Sequence, residues 1–420
     1  MTKKILFVAM QNSPHACRWI NSIADQEWEL HLFPINHYPV LPMLRSVTVH
    51  NPLIQVKKKD ILKFLSNPLS FKTNKNKNGI RYKSIYPIPV LSKINAALNK
   101  ISLTIGESQT PVPLLHSPKV LADLIRKLKP DLIHSMEFQH CGYNVLEAKQ
   151  YCQSDFPPWL ATNWGSDIYY YRQFDDHRLQ IVELLRNIDY YSCECERDVT
   201  LAKELGMTSK VMPVMPNTGG FDLAEIQPLR DITPPSRRKL IMIKGYQHFA
   251  GRALTALDAL ERCSDLAKNF HVVIFSPSSE AIARANEIMN YTEIKNITIL
   301  PYAPHDQMLR MFARARVYLG VSVSDAISTS ALEAMAMGAF PIQTNTSCCN
   351  EWFDDNVGGY LIPPDNVVVI ADRLRSALSD DYLVDNAAEV NWLTIKKRAN
   401  QRDFSERVWS FYDEIFQDMD

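Results

Sequence analysis

Val317-Tyr318-Leu319-Gly320-Val321 runs into Ser322-Val323-Ser324-Asp325-Ala326-Ile327-Ser328-Thr329-Ser330-Ala331-Leu332-Glu333-Ala334-Met335-Ala336-Met337-Gly338, and the fold class turns on this stretch. An apolar strand ends in a Ser-rich loop, which opens a helix at about Ser328–Ser330. In an open α/β sheet, ligands bind outside such strand ends. A helix start offers unpaired amides and a positive dipole end, which suit a diphosphate. Glu333, read in the first turn, is placed to accept from ribose hydroxyls. Ser330-x-x-Glu333 is equally a capping box, which needs no ligand.

Outward from this unit, the same alternation fills the chain. Strand patterns lie at Ile5–Met10, Glu29–Phe33, Asp131–His134, Trp159–Thr162, Tyr190–Ser192, Lys239–Ile243, Val272–Ser276, Thr298–Leu300 and Phe340–Gln343. Helical patterns such as Lys119–Leu128, Arg178–Leu185, Thr255–Leu260, Met308–Arg314 and Val367–Leu378 fall between them. Near-continuous apolar strands separated by helices imply parallel sheets covered on both faces, the doubly wound α/β class. Pro228, Pro234 and Pro235 punctuate a charged stretch, Gln227–Arg238, which reads as a linker. The expected domains are 1–228 and 236–400, each Rossmann-like. A terminal helix within 401–420 is free to pack back on the first domain.

The chain has 420 residues and a formal net charge of +0. That length allows two domains, and that charge provides no global field toward nucleic acid or membrane. Lys3-Lys4-Ile5-Leu6-Phe7-Val8-Ala9-Met10 turns polar at Gln11-Asn12 without a small-residue cleavage site, so it reads as a buried strand and not a signal peptide. No apolar run reaches membrane-spanning length. The 8 cysteines show neither CxxC pairing nor zinc-like spacing. A cytoplasmic protein with reduced thiols is expected. One segment breaks the rhythm: Lys57–Lys100 carries Lys57, Lys58, Lys59, Lys63, Lys72, Lys75, Lys77, Arg81, Lys83, Lys93 and Lys100 against a single acid, Asp60. Ile61, Leu62, Phe64, Leu65, Leu69 and Phe71 are interleaved. It reads either as a solvated excursion or as a surface for anionic lipid or a phosphorylated acceptor.

A second constellation opens the C-terminal half, Ile241-Met242-Ile243-Lys244-Gly245-Tyr246-Gln247-His248-Phe249-Ala250-Gly251-Arg252-Ala253. A strand, a Gly-containing loop with two cations and a helix make a phosphate-binding arrangement. Surface cations beside a turn are the alternative, which the position of the loop between strand and helix disfavours.

The acid, seven residues and Glu spanning Asp325 to Glu333, followed by Ala-Met-Ala-x-Gly, resemble the signature of the retaining glycosyltransferases of family 4. Asp325 stands where that family usually has Glu. Lys244-Gly245 followed by Gly251-Arg252 is similar to the family's Gly-Arg and Lys-Gly pair with the cation types exchanged. Asn350-Glu351 and Gly358-Gly359-Tyr360-Leu361-Ile362-Pro363-Pro364 resemble its closing segment. Earlier, Asn12-Ser13-Pro14-His15 follows the first strand, where the family has a polar or Gly-rich loop. Asp131-Leu132-Ile133-His134-Ser135-Met136-Glu137-Phe138-Gln139-His140 resembles its strand-end histidine segment, and Thr162-Asn163-Trp164-Gly165-Ser166-Asp167 its Thr-x-His-Gly-x-Asp loop, with Trp164 replacing His. Pro216-Asn217-Thr218-Gly219-Gly220-Phe221-Asp222 resembles its Asn-Gly-x-Asp turn.

The resemblance implies a GT-B fold: two Rossmann-like domains with a donor cleft between them. It implies retaining transfer of a sugar from a UDP- or GDP-type donor to a glycan, lipid-linked or protein acceptor. No metal, no other cofactor and no nucleic acid are expected, and peripheral contact with anionic membrane is allowed through the basic stretch. Carried over by position, Lys244 and Arg252 stabilise the departing diphosphate, Asp325 contacts the transferred sugar and Glu333 the ribose. Ser328, Thr329, Ser330 and Gly245 line the donor site. His140, backed by Glu137 and His134, touches the donor sugar. Ser13, His15 and Asp167 fall on the acceptor side, although Asp167 has an equal reading as a cap of Ile168–Tyr171. A nucleotide-sugar epimerase on a similar fold and a non-catalytic nucleotide-sugar sensor are the rival functions.

Overall fold

The computed structural model describes residues 2–36, 38–51, 78–85, 118–152, 156–217 and 219–419. Of the basic stretch Lys57–Lys100, all but 78–85 lies outside the described residues, so its membrane reading does too. The chain divides into two compact units, Met1–Gly219 with Ser405–Asp420, and Gly220–Phe404.

The first unit is built on β1 (Lys4–Ala9), β2 (Glu29–Pro34), β3 (Thr48–Asn51), β4 (Arg81–Ser84), β5 (Leu132–Met136), β6 (Trp159–Thr162), β7 (Tyr190–Ser192) and β8 (Lys210–Val211). They form one sheet in the order β4-β3-β2-β1-β5-β6-β7-β8, parallel throughout. Every residue from Ile5 to Ala9 is buried, as a strand covered on both faces requires. Leu6 and Val8 join Leu124, Ile133 and Trp159 in the core on one face. On the other face Phe7 meets the rings of His134 at 5.4 Å and Tyr412 at 6.3 Å.

Tyr412 lies on the last helix, Gln401–Met419, whose residues from Ser405 onward belong to this unit. Trp19 Nε1 donates to its hydroxyl at 2.8 Å, and His134 Nδ1 lies 2.6 Å from the same oxygen. His134 Nε2 reaches Thr162 Oγ1 at 2.6 Å. Complete burial pushes the His134 pKa down to about 3, so the ring is a neutral bridge inside the core. It therefore does not stand behind His140 as a site residue. Lys210 adds ion pairs to Glu414 and Asp418, both at 2.7 Å.

The second unit contains β9 (Leu240–Lys244), β10 (His271–Phe275), β11 (Ile297–Leu300), β12 (Ala315–Gly320), β13 (Phe340–Thr344) and β14 (Tyr360–Ile362). Their order is β11-β10-β9-β12-β13-β14, again all parallel. This is the Rossmann order, in which the winding reverses between the first and fourth strands of the sheet. The Pro-rich stretch Gln227–Arg238 is part of this unit. The buried Arg238 guanidinium holds it there, donating to the carbonyls of Thr233, Asp231, Ala315 and Met337.

The helix Thr329–Met337 ends at Gly338, whose φ of 79° is left-handed. Ala339 N then returns to the Ala334 carbonyl at 2.9 Å, closing a glycine-dependent C-cap. Among the described residues, no helix is long and apolar enough to cross a membrane.

Candidate active site

In each unit the strand order reverses once, and the strand ends at that point define a crevice. For the second unit the reversal falls between β9 and β12. Lys244 ends β9 and Gly245 follows it; Gly320 ends β12 and the Ser-rich loop follows. The two loops are stitched together. Arg252 N donates to the Val321 carbonyl at 2.9 Å and Val323 N to Ala250 at 2.8 Å, with an antiparallel bridge between Gly251 and Ser322. A Cβ on Gly245 would lie 2.6 Å from Pro277 Cα, so this turn admits only glycine.

Lys244 is half-buried, with Nζ 5.1 Å from the Tyr246 ring. Arg252 caps the helix Ala253–Arg262 and sends Nη1 back to the carbonyls of His248 (2.9 Å), Phe249 (3.3 Å) and Gly251 (2.9 Å). Among the described residues, its Nε and Nη2 have no hydrogen-bond partner. His248 Nδ1 accepts from Ala250 N at 3.1 Å and Gly251 N at 3.4 Å. Burial, then the charges of Lys244 and Arg252, lower the His248 pKa, so the neutral ring carries its proton on Nε2.

Across the crevice, Ser322 N and Oγ meet Thr344 Oγ1 at 3.1 and 3.2 Å, and Thr346 Oγ1 donates to the Ser322 carbonyl at 2.6 Å. These contacts fix the loop to the end of β13. Half-buried Asp325 follows, its Oδ1 accepting from Ala326 N at 3.0 Å. The helix cap is Ser328, whose Oγ accepts from Ala331 N at 3.4 Å. Ser330 therefore caps nothing, and the Ser330–Glu333 capping box does not form. Thr329 and Ser330 supply first-turn amides, a set with no intrahelical partner. Glu333 is the fifth helical residue, past the first turn where its spacing put it; its Oε1 accepts from His305 Nε2 at 2.9 Å.

In the first unit the reversal lies between β1 and β5. Past β1, Ser13 caps the helix Pro14–Ser22, accepting from Ala16 N at 3.4 Å. The half-buried His15 ring lies 5.8 Å from Trp164, which follows β6. Past β5, Glu137 has φ 88° and ψ 145°, backbone space that side chains other than hydrogen normally avoid. Its carboxylate accepts from His140 N at 2.8 Å, Cys141 N at 3.1 Å and His140 Nδ1 at 3.0 Å. These bonds hold a single π-turn, Phe138–Gly142, a local form frequent at functional sites. The hydrogen bond to Glu137 raises the His140 pKa.

Buried Asp167 joins the loops after β5 and β6, its Oδ2 accepting from Phe138 N at 3.1 Å and Trp164 N at 2.9 Å. Burial, then the charge of Glu137, raises its pKa to about 8. Gly165, not Asp167, is the cap of the helix Ser166–Tyr169.

Residues 240–391 match the family model of glycosyl transferases group 1, and residues 85–193 that of glycosyl transferase 4-like. No curated sequence matches the chain. Solved structures match over nearly the whole length. The sucrose-phosphate synthase of Thermosynechococcus elongatus shares 12% identity at a TM-score of 0.66, covering 99% of both chains. HepE of Anabaena, in complex with UDP and glucose, shares 12% at 0.63, covering 98% of this chain and 100% of that one. TarM of S. aureus, in complex with alpha-GlcNAc-glycerol and UDP among its ligands, shares 11% at 0.67, with the same coverage.

The fold is GT-B. The matches together support a glycosyltransferase with this GT-B fold. Lys244, Gly245, Arg252, Asp325, Ser328, Thr329, Ser330 and Glu333 all fall within the 240–391 match; the structure sets Lys244, Gly245 and Arg252 on one loop of the β9/β12 crevice, and Asp325 and Ser328 on the other. Glu137, His140 and Asp167 fall within 85–193, whereas Ser13 and His15 lie outside both matches and at the β1 end of the other crevice. His248 and His305 were not singled out by sequence. Nothing in the local sequence around either one distinguishes it from a surface histidine.

Proposed function

We propose that this GT-B protein transfers a sugar, with retention, from a nucleotide-diphosphate donor to a glycan, without a metal. The observation that carries the reading is the joining of the Lys244–Arg252 loop to the Ser322–Ser328 loop at the β9/β12 reversal, within the segment that matches a glycosyltransferase family. Two cations lie at and after the end of β9 and a helix start follows β12, a set suited to charge that develops on a leaving diphosphate. The retaining chemistry rests on the family 4 resemblance of Asp325 and Glu333.

UDP is the proposed nucleotide, because HepE and TarM are both described in complex with it. The first unit's Glu137–His140 pair is assigned to the transferred sugar, and Ser13, His15 and Asp167 to the acceptor side. A lipid-linked acceptor reached through the Lys57–Lys100 stretch, and a cytoplasmic location, complete the proposal.

The test is incubation with UDP-sugars in excess EDTA, with and without candidate glycans, following UDP release and the anomeric configuration of the product. Acceptor-dependent release with retained configuration is expected. Sugar isomers formed without acceptor would favour an epimerase, and binding without turnover a sensor; either would overturn the reading.

A further inference from the structure

The contact between His305 and Glu333 joins residues 28 positions apart and belongs to no motif in the sequence. We infer that His305 is a positioning residue, which holds the Glu333 carboxylate in the plane needed to accept both hydroxyls of a ribose. The inference rests on the donor-site reading above.

His305 is the first residue of the helix His305–Arg314. That helix and Thr329–Met337 share one core, in which Leu309, Phe312 and Ala313 pack with Ala331, Leu332 and Met335. The distance between the imidazole and the carboxylate is thus set by packing and not by two mobile side chains. The Glu333 side chain is 11% exposed and that of His305 is 50% exposed, so the pair has a buried acid end and an open histidine end.

An ionised carboxylate only accepts, so Nε2 must carry the proton it donates. Among the described residues His305 is the only hydrogen-bond partner of the Glu333 side chain. A carboxylate has about four acceptor sites, and the histidine occupies one. The rest remain for a ligand with two adjacent hydroxyls, and Oε2 faces no competing donor among the described residues. Fixing a buried carboxylate beforehand saves the ordering cost that a ligand would otherwise meet.

The experiment titrates the full chain calorimetrically with UDP and 2′-deoxy-UDP, and with the two guanosine counterparts. Wild type is expected to prefer the ribonucleotide, and Glu333→Ala to lose the preference. His305→Ala should weaken ribonucleotide binding about tenfold, the scale of one hydrogen bond to a charged group, while the deoxynucleotide changes little. His305→Gln should keep most of the preference, because its amide N–H stands near the Nε2 position. It also carries the test should His305→Ala fail to fold. An unchanged ribose preference in His305→Ala, alongside its loss in Glu333→Ala, would overturn the role of His305 alone. A wild-type chain that binds none of these nucleotides would remove the donor-site reading and this inference with it.

Discussion

The amide of Arg252 donates to the carbonyl of Val321 at 2.9 Å, so the last residue of the cationic loop is anchored to the residue that follows β12. Its guanidinium then folds back on three carbonyls of its own loop. Nη1 thus shapes the loop, while Nε and Nη2 have no hydrogen-bond partner among the described residues. Arg252→Lys keeps the charge and loses the fork. We expect Arg252→Ala and Lys244→Ala each to lower kcat by about 10²-fold, the scale of removing one transition-state donor. Arg252→Lys should be intermediate. Steady-state UDP release checks this, and near-normal turnover in both alanine variants would end the leaving-group role.

Ser328 and Ser330 are two residues apart and differ in what they hold. Ser328 Oγ caps Ala331 N. Its replacement by Ala should cost about 1 kcal/mol, the usual value of an N-cap. Ser330→Ala should leave stability within about 0.5 kcal/mol, as a substitution outside such a feature does. Denaturant unfolding of both variants separates them. A loss in Ser330→Ala with none in Ser328→Ala would mean that the helix is capped at Ser330 after all.

The alternation of strands and helices was legible because parallel strands covered on both faces are apolar throughout. β3 (Thr48-Val49-His50-Asn51) and β4 (Arg81-Tyr82-Lys83-Ser84) escaped because four residues of mixed polarity make no run; their neighbours in the sheet define them. The helix Asp381–Arg398 escaped too, since its buried stripe of Val384, Ala387, Ala388, Asn391 and Ile395 is partly small and partly polar. Lys244, Arg252, Asp325 and Glu333 were readable as candidates because each sits in a contiguous motif. Two things had no sequence trace. One is the left-handed backbone at Glu137, which residue type does not announce. The other is the His305–Glu333 contact, which depends on how two helices pack.

Three histidines of the first unit are expected to make its stability fall in acid. His134 is buried in the core, while His31 and His50 lie with ring nitrogens 3.0 Å apart on neighbouring strands. Burial is the leading cause of each depression, to about 3 for His134 and His50 and about 4 for His31. Unfolded, each binds its proton near the ordinary histidine value of 6.5, so between that pH and the folded value the unfolded chain binds more protons. Their contribution is complete above 6.5 and is lost progressively as pH falls toward 3–4. The melting temperature should therefore drop between pH 7 and pH 4.5, and His50→Gln should flatten that slope. A melting temperature independent of pH over this range would contradict the neutral, buried state of these rings.

The Glu137–His140 pair makes the sharpest prediction for the first unit. Glu137 stays in left-handed, extended backbone because its carboxylate gathers two amides and the His140 ring. Strain of this kind costs about 1–3 kcal/mol and persists where surrounding bonds over-determine it. Glu137→Gln keeps the shape but removes the charge that raises the His140 pKa. The His140 titration followed by NMR should then move to lower pH. Turnover at neutral pH should fall with it if the charged imidazole serves the transferred sugar. Glu137→Gly relieves the backbone strain yet deletes every side-chain bond at the turn, so its stability gain is offset and its activity should fall further than that of Glu137→Gln. An unmoved His140 titration in Glu137→Gln would show that the carboxylate does not govern the ring. Unmoved turnover beside a shifted titration would leave the pair structural, holding the turn Phe138–Gly142 and nothing more.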